Sequence, residues 1–462
     1  MIRSAVRDRR SSCATWQQVK PVSLKQYVPL IGLIPLLCSV FQPASATLPQ
    51  PSPTASSQYY QPEDFERALK DMAGKFHFYT GPMPGPTAPE APLPEVPSLH
   101  GPATEPLWGR KFSGPLHVTT VPAAIMPELA LLAIRTASFA PDGSLWFSDE
   151  QRWSIRRMWY DRDHYVIDLV AGHPQAHGYA NGAGASARFR KVAGMASSQD
   201  GSMWLADSDS HSVRRMVPSN DSVFVAGIAG QWINPAPGLP KQAYFFPPNL
   251  NDGWGWLDGS GIEAKLRNPE AVAVAPDGSI WVADPGNAAI RRITQAANGY
   301  AITTVTGTPH DRSHTDGPRE IARFRAPTDL AFARDGSLWI ADGYGHCIRR
   351  MTPDGRITTI AGMRDRIGYR DGSGKEASFK FPHKLVLISN EEAWIADQGN
   401  HCIRSVRLDG TVTTIAGHPS LRERQDGPAA TAGFGELEGI TMAPDGSILV
   451  IDGKLRLIRK GS

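Results

Sequence analysis

The sequence lacks long apolar runs. Its longest, "YVPLIGLIPLLCSVF" (27–41), falls short of the roughly 20 residues that cross a bilayer as a helix. Cysteine is scarce, with four residues, of which Cys13 and Cys38 precede residue 47. There is no Ser/His/Asp constellation with positional logic, no phosphate-cradling glycine loop and no complete EF-hand loop. "DSDSH" (207–211) is calcium-like in composition alone. What is abundant is Gly (44), Pro (39) and Trp (12), which suits many short strands and turns better than helices.

The amino end reads as an export signal over residues 1–46. Arg3, Arg7, Arg9, Arg10, Lys20 and Lys25 precede the apolar run, and Ala44 and Ala46 fit the small-residue rule for cleavage before Thr47. Whether the signal is cleaved or kept as an anchor stays open. The formal charge of +3 sits largely there: from residue 47 onward 42 basic residues face 44 acidic ones, a net of −2. No Lys/Arg-rich face is left to argue for nucleic acid. The expected setting is periplasmic or secreted, with no membrane span after cleavage. Residues 47–113 are Pro-rich, and "GPMPGPTAPEAPLPEVP" (81–97) reads as an extended linker or tether.

From residue 114 the chain repeats one unit six times. "PDGSLWFSDEQRWSIRRM" (141–158) returns as "QDGSMWLADSDSHSVRRM", "PDGSIWVADPGNAAIRRI", "RDGSLWIADGYGHCIRRM", "NEEAWIADQGNHCIRSV" and "PDGSILVIDGKLRLIRKG". Each unit carries an aspartate and, seven residues on, an arginine: Asp149/Arg156, Asp207/Arg214, Asp284/Arg291, Asp342/Arg349, Asp397/Arg404 and Asp452/Arg459. Repeats of this length are supersecondary units that stack. Within a unit, short runs bounded by turn residues predict four antiparallel strands, a to d. A second signature, such as "DGPREIARFRAP" (316–327), joins strand d to the next strand a.

Four-stranded units arranged radially make an all-β fold, a six-bladed β-propeller. The last repeat stops after strand c, and "GPLHVTTVP" (114–122) looks like the missing strand d, so this amino-terminal strand is expected to close the last blade. These signatures resemble the NHL-repeat family of six-bladed propellers, especially the teneurin-like and bacterial exported forms. The resemblance implies the fold over 114–462 and says much less about activity, because propellers host many functions.

Residues present in every blade are expected to build blades. That covers the Asp/Arg pairs, which lie diagonally on one hairpin face, and Trp146, Trp204, Trp281, Trp339 and Trp394, the filling between blades. Cys347 and Cys402 fall at equivalent points of neighbouring blades, about 10–15 Å apart on such a ring, beyond the roughly 7 Å limit for a disulfide.

Function is expected where symmetry breaks. His211, His346 and His401 share one position in the b–c loop; converging on a central channel, they would hold a divalent metal, zinc or calcium, with an open coordination position. The second break is the long insertion at 231–259, with Trp232, Tyr244, Phe245, Phe246, Trp254 and Trp256, which suits a protein, peptide or carbohydrate ligand. Two functions follow: a monomeric binding scaffold working through the face that carries these loops, or a metal-dependent lyase or hydrolase with a central histidine site.

Overall fold

A computed structural model describes residues 115–121, 132–161, 164–219, 222–230, 254–297, 299–363 and 366–460. The expected signal, the Pro-rich arm, and Trp232, Tyr244, Phe245 and Phe246 lie outside the described residues. No described helix is long and apolar enough to cross a membrane.

The described chain forms six antiparallel sheets. Blade four shows the plan: strand a (Pro327–Phe332), b (Leu338–Asp342), c (Cys347–Met351) and d (Arg356–Gly362), each paired with the next. Strand a of each blade lies against strand a of the next, and blade six returns to blade one, closing a ring around a channel of about 320 Å³. The face carrying the b–c and d–a connections is called the top; strand a descends from it and strand d rises toward it.

The last blade is completed as the sequence predicts. Leu116–Thr120 pairs antiparallel with Leu455–Lys460, with Thr119 opposite Leu457. Each described blade has the four expected strands, and five of the six sheets carry a fifth. The d–a signature adds a two-residue outer strand, such as Gly317–Pro318, which pairs with strand d of its own blade and covers part of that edge.

Burial explains why the unit has to repeat. Among the described residues the apolar side chains gather in six clusters, each between two neighbouring blades. One joins Leu145 and Phe147 of blade one to Leu449 and Leu457 of blade six. Another joins Trp339 and Ile348 of blade four to Phe379 and Ile395 of blade five. A single blade therefore has no interior of its own and is stable only beside others. Trp146, Trp204, Trp281 and Trp339 are buried in this filling, and Trp394 packs at its border.

The "PDGS" turns explain the paired arginines. Asp277 Oδ1 accepts the Ser279 N–H (2.9 Å) and hydroxyl (2.6 Å), while Oδ2 receives the second arginine of the pair, Arg292. The glycine between them has φ +79°, a left-handed conformation that other residues take at a cost. The first arginine turns inward, where the blade is clamped.

Candidate functional site

Each repeat aspartate ends strand b at the top of its blade, fully or almost fully buried. In blade five, Asp397 accepts the Lys380 N–H (2.9 Å), Asn400 Nδ2 (2.8 Å) and a guanidinium nitrogen of Arg404 (3.1 Å). The buried Arg404 also donates to the Ser378 and Arg370 carbonyls and to Asp371 (2.6 Å), and lies over the Phe379 ring at 5.1 Å. Asp371 comes from the d–a signature, so one guanidinium ties the b–c hairpin to the outer strand. Desolvation pushes the Asp397 carboxyl up to about 6 against the pull of Arg404.

The expected Asp/Arg pairs lie within ion-pair distance in blades one to five, and in blades two to five the arginine bonds more closely to the d–a segment than to its aspartate. Arg291 donates to Asp284 at 3.1 Å, but its shorter bond is to Asp258 at 2.7 Å, and the Lys265 and Leu257 carbonyls take two more. Arg349 stands 3.7 Å from Asp342, too far for a hydrogen bond. Its donors go instead to Asp316 (2.7 Å) and to the Arg323 and Thr315 carbonyls (2.6 and 2.7 Å). Arg214 lies 3.5 Å from Asp207 and nearer, at 3.0 Å, to the Asn181 side chain. A guanidinium carries five N–H donors, more than one carboxylate can receive, so a buried one must bond to several groups.

Blade one departs in another way. Arg156 is half-buried and reaches Asp149 through Nε at 3.3 Å, sharing that Oδ2 with Arg152 at 3.2 Å. Its sheet has four strands, and the chain ahead of its strand a lies outside the described residues.

In blade six the expected partner itself changes. Asp452 pairs with Arg456 at 3.0 Å, not with Arg459. The b–c hairpin there is three residues shorter, so Ile451 faces Leu455 directly and the clamp arginine comes four residues after the aspartate. Arg456 also reaches Asp426 at 2.8 Å.

The third partner of the aspartate varies. Asn287 and Asn400 serve in blades three and five. In blade four that position is Gly345, and His314 from the d–a segment approaches Asp342 instead, Nδ1 to Oδ2 at 3.3 Å. Cys347 Sγ lies 4.0 and 3.8 Å from the two nitrogens of His314. Among the described residues this is the group of three closest to a metal-ligand set. A sulfur almost equidistant from both nitrogens lies off both lone-pair directions. An ion at about 2.0–2.1 Å from nitrogen and 2.3 Å from sulfur has no place between them. Cys347 and Cys402 are both free and buried, and desolvation raises both thiols.

His211, His346 and His401 do occupy equivalent b–c loop positions, each at positive φ (52°, 53° and 51°) after one turn of 3₁₀ helix. The structure does not bring them together. The Nδ1 of His211 accepts the Asn268 N–H (3.1 Å), that of His346 accepts the Phe381 N–H (3.1 Å), and that of His401 donates to the Gly435 carbonyl (2.9 Å). Each staples its loop to the next blade. This arrangement does not fit a shared metal, and no step is derived through one.

Of the expected aromatic loop, Trp254 sits on the top face, with the Arg267 guanidinium 4.6 Å from its ring and His211 beside it. Trp256 is turned outward along blade three, where its indole donates to Thr304 Oγ1 at 2.9 Å. They do not form one patch.

The clearest break in symmetry is on strand a, at the top end of the channel. Two successive positions there read Arg135–Thr136, Ala193–Gly194, Glu270–Ala271, Thr328–Asp329, His383–Lys384 and Glu438–Gly439 from blade one to blade six. Lys384 donates to the Glu270 carbonyl (2.7 Å) and lies 3.9 Å from Asp329, while His383 Nε2 meets Glu270 Oε2 at 3.4 Å. Blade five thus reaches blade three across the channel mouth. Arg135 pairs with Glu438 at 3.0 Å. Burial opposes charge on Glu270. The His383 hydrogen bond and the charges of His383, Lys384 and Arg135 outweigh it and bring the carboxyl down to about 2. Burial raises Asp329, with Lys384 opposing. The Nδ1 of His383, whose side chain is 4% exposed, has no hydrogen-bond partner. Sequence reading missed these residues. Their signal is ionisable residues opening otherwise apolar strands, as in "PHKLVLI" and "PTDLAFA".

No family model matches the chain. Teneurin-m of Drosophila melanogaster is 25% identical over 365 residues, covering 70% of this chain and 12% of that protein. Human NHL repeat-containing protein 3 is 25% identical over 182 residues, covering 39% of this chain and 47% of that protein. The chain thus spans a small part of the teneurin and under half of the NHL repeat-containing protein. Among solved structures, an auxiliary nutrient binding protein from Bacteroides ovatus superposes with a TM-score of 0.52 at 15% identity, over 75% of this chain and 77% of that one, a likeness of fold. With six repeats, a ring latched by its amino-terminal strand and relatives of this kind, the chain is a six-bladed β-propeller similar to teneurin and NHL repeat-containing proteins.

Proposed function

We propose that the propeller is a binding scaffold that engages its ligand through the top face, at and around the channel mouth, and that the chain is exported by the signal over residues 1–46. One observation carries the reading. The blades repeat their clamps, turns and interface cores, yet their channel-mouth positions hold six different pairs of residues, among them Glu270, Asp329, His383 and Lys384. Side chains that fix the fold recur in every unit; side chains that differ at one depth of the axis suit recognition. The auxiliary nutrient binding proteins share this fold, which is consistent with a scaffold of this kind.

The test is a screen of the full chain against glycan and peptide arrays, followed by calorimetry on the hits. Glu270→Gln and Lys384→Met are expected to weaken a true ligand roughly tenfold or more, while Arg334→Ala, on an a–b turn of the opposite face, leaves it unchanged. A ligand that responds only to the bottom-face variant would overturn the reading.

A further inference from the structure

The d–a segments just ahead of strand a place a cation at one repeated position: Arg190, Arg267, Arg325 and Lys380 in blades two to five, against Gly435 in blade six. Lys191 follows Arg190, and Arg312 lies between blades three and four. These charges run on from one to the next. Arg190 and Arg267 both oppose protonation of His211, Arg325 and Lys380 both oppose protonation of His346, and Arg267 and Arg325 both act on Arg312.

Much of the arc is held in place by backbone carbonyls and a ring. Arg312 donates to the carbonyls of Pro285 (3.1 Å), Gly286 (2.8 Å) and Arg325, so its guanidinium is fixed by backbone and not by a carboxylate. Arg267 lies over Trp254. Lys191, Arg325 and Lys380 have no ion-pair partner among the described residues. Four carboxylates stand nearby: Asp311, which Arg323 holds at 3.2 Å, Asp209, which counters the cations at His211, and the buried Asp284 and Asp342, which act on Arg312. Over blades six and one the top is mixed: Glu150 and Glu438 stand beside Arg135, Arg424 lies against Gly435, and Arg152 pairs with Asp149. A row of cations over four blades, outside the acidic groups of the channel mouth, attracts the opposite charge and speeds its arrival.

Two features favour a sugar chain over a peptide. An exposed ring, Tyr344 (58% exposed), stands at the tip of the blade-four loop, edge-on to Phe381 at 4.8 Å, and Phe381 in turn stacks on His383 at the channel mouth. Flat rings beside cations suit sugar faces carrying acid groups. A peptide docks most readily through main-chain bonds to a free strand edge, and here the loop amides are already used: Gly343 N–H goes to Ala326 O, His346 N–H to Gly343 O and Phe381 N–H to His346.

We propose that the top face over blades two to five binds an acidic polysaccharide, its carboxylate or sulfate groups spread along the arc from Lys191 to Lys380 and a sugar ring resting on Tyr344. Cations spread over four blades, and not gathered at one point, call for a ligand with charges repeated along its length. This rests on the top-face reading above.

The test uses the full chain and four polymers: polygalacturonate, heparin, neutral dextran and poly-L-glutamate. Polygalacturonate or heparin is expected to bind and to weaken roughly tenfold or more between about 50 and about 300 mM salt. Arg325→Glu/Lys380→Glu should abolish most of that binding. Arg334→Glu/Arg356→Glu, the same charge change on the opposite face, should leave it within about twofold. Tyr344→Ala should weaken the polysaccharides and leave poly-L-glutamate unaffected; circular dichroism confirms that each variant folds. Equal binding of dextran, poly-L-glutamate as the preferred polymer, or equal losses from both double variants overturns the inference, as does failure of both acidic polysaccharides to bind. If those fail while an array hit still responds to Glu270→Gln, the top-face reading stands without this one.

Discussion

The Thr120 N–H and hydroxyl donate to the two carboxylate oxygens of Asp426, at 2.8 and 2.9 Å, across 306 residues of sequence. The same carboxylate receives Arg456, so a single side chain joins the amino-terminal strand, the outer strand and the clamp of blade six.

Asp426→Ala should therefore lower stability by about 2–3 kcal/mol, because it removes the latch bonds and leaves one partner of Arg456 missing. Asp354→Ala, on an exposed turn, should stay within about 0.5 kcal/mol. Denaturant midpoints separate the two. Removing residues 1–121 should go further and abolish cooperative unfolding, whereas removing residues 1–113 should leave it intact.

Arg456 and Arg459 offer a sharper contrast. Arg456→Ala strands the buried Asp452 carboxylate and should cost about 3–5 kcal/mol. Arg459→Ala, three residues on and outside the clamp, should cost under about 1 kcal/mol. Equal losses in a thermal melt would return Arg459 to the clamp.

Glu270 makes stability depend on acid pH. Its carboxyl is held at about 2 in the fold, against an ordinary 4.5, so its contribution is complete above about pH 4.5 and is lost as pH falls toward 2. Between about pH 5 and about pH 2.5 the wild type should lose on the order of 2 kcal/mol more than Glu270→Gln. Parallel unfolding curves for the two proteins would contradict this.

The histidine staples imply defined tautomers. His211 and His346 accept at Nδ1 and must carry their proton on Nε2, whereas His401 donates from Nδ1. Nitrogen-15 spectra should show this split. Burial, reinforced by Arg190 and Arg267 and opposed by Asp209, brings His211 down to about 4 from 6.5. Its contribution to stability is thus whole above about pH 6.5 and is lost between there and about pH 4. A titration midpoint near 6.5 would refute the staple.

Cys347 and Cys402 are buried in neighbouring blades, with raised thiol pKa values. In a chain beginning at residue 47, a thiol reagent should find almost no reactive cysteine in the native protein and two after denaturation.

Much of the fold was legible because the chain states it six times. The repeated strands, the interface tryptophans and the closing strand are all recurrences, and recurrence needs no coordinates to see. The aspartate and arginine of each unit were visible for the same reason, but the arginine's closer acceptors were not. Asp258, Asp316 and Asp371 each stand 33 residues ahead of Arg291, Arg349 and Arg404, a constant offset hidden inside a different signature. Arg456 was misread because "LRLIRKG" offers an apolar–Arg step twice, and an offset of seven assumes a loop length that blade six does not keep. The histidines were placed on the right loops, but spacing fixes a position on the ring and not the direction of a side chain. At that position each imidazole is bonded to the backbone of the next blade. Glu270, His383 and Lys384 were hidden for another reason: their meaning depends on strand a being the innermost, a fact of three dimensions.

Leu116 begins its strand at the face opposite the channel mouth, beside Lys460 at the foot of blade six. The chain therefore enters this strand on the side away from the mouth. A pull on that chain would act lengthwise along Leu116–Thr120, between strand c on one side and Gly427–Pro428 on the other, loading its hydrogen bonds together in shear and not one at a time. The strand that closes the ring is also the one that would bear such a load.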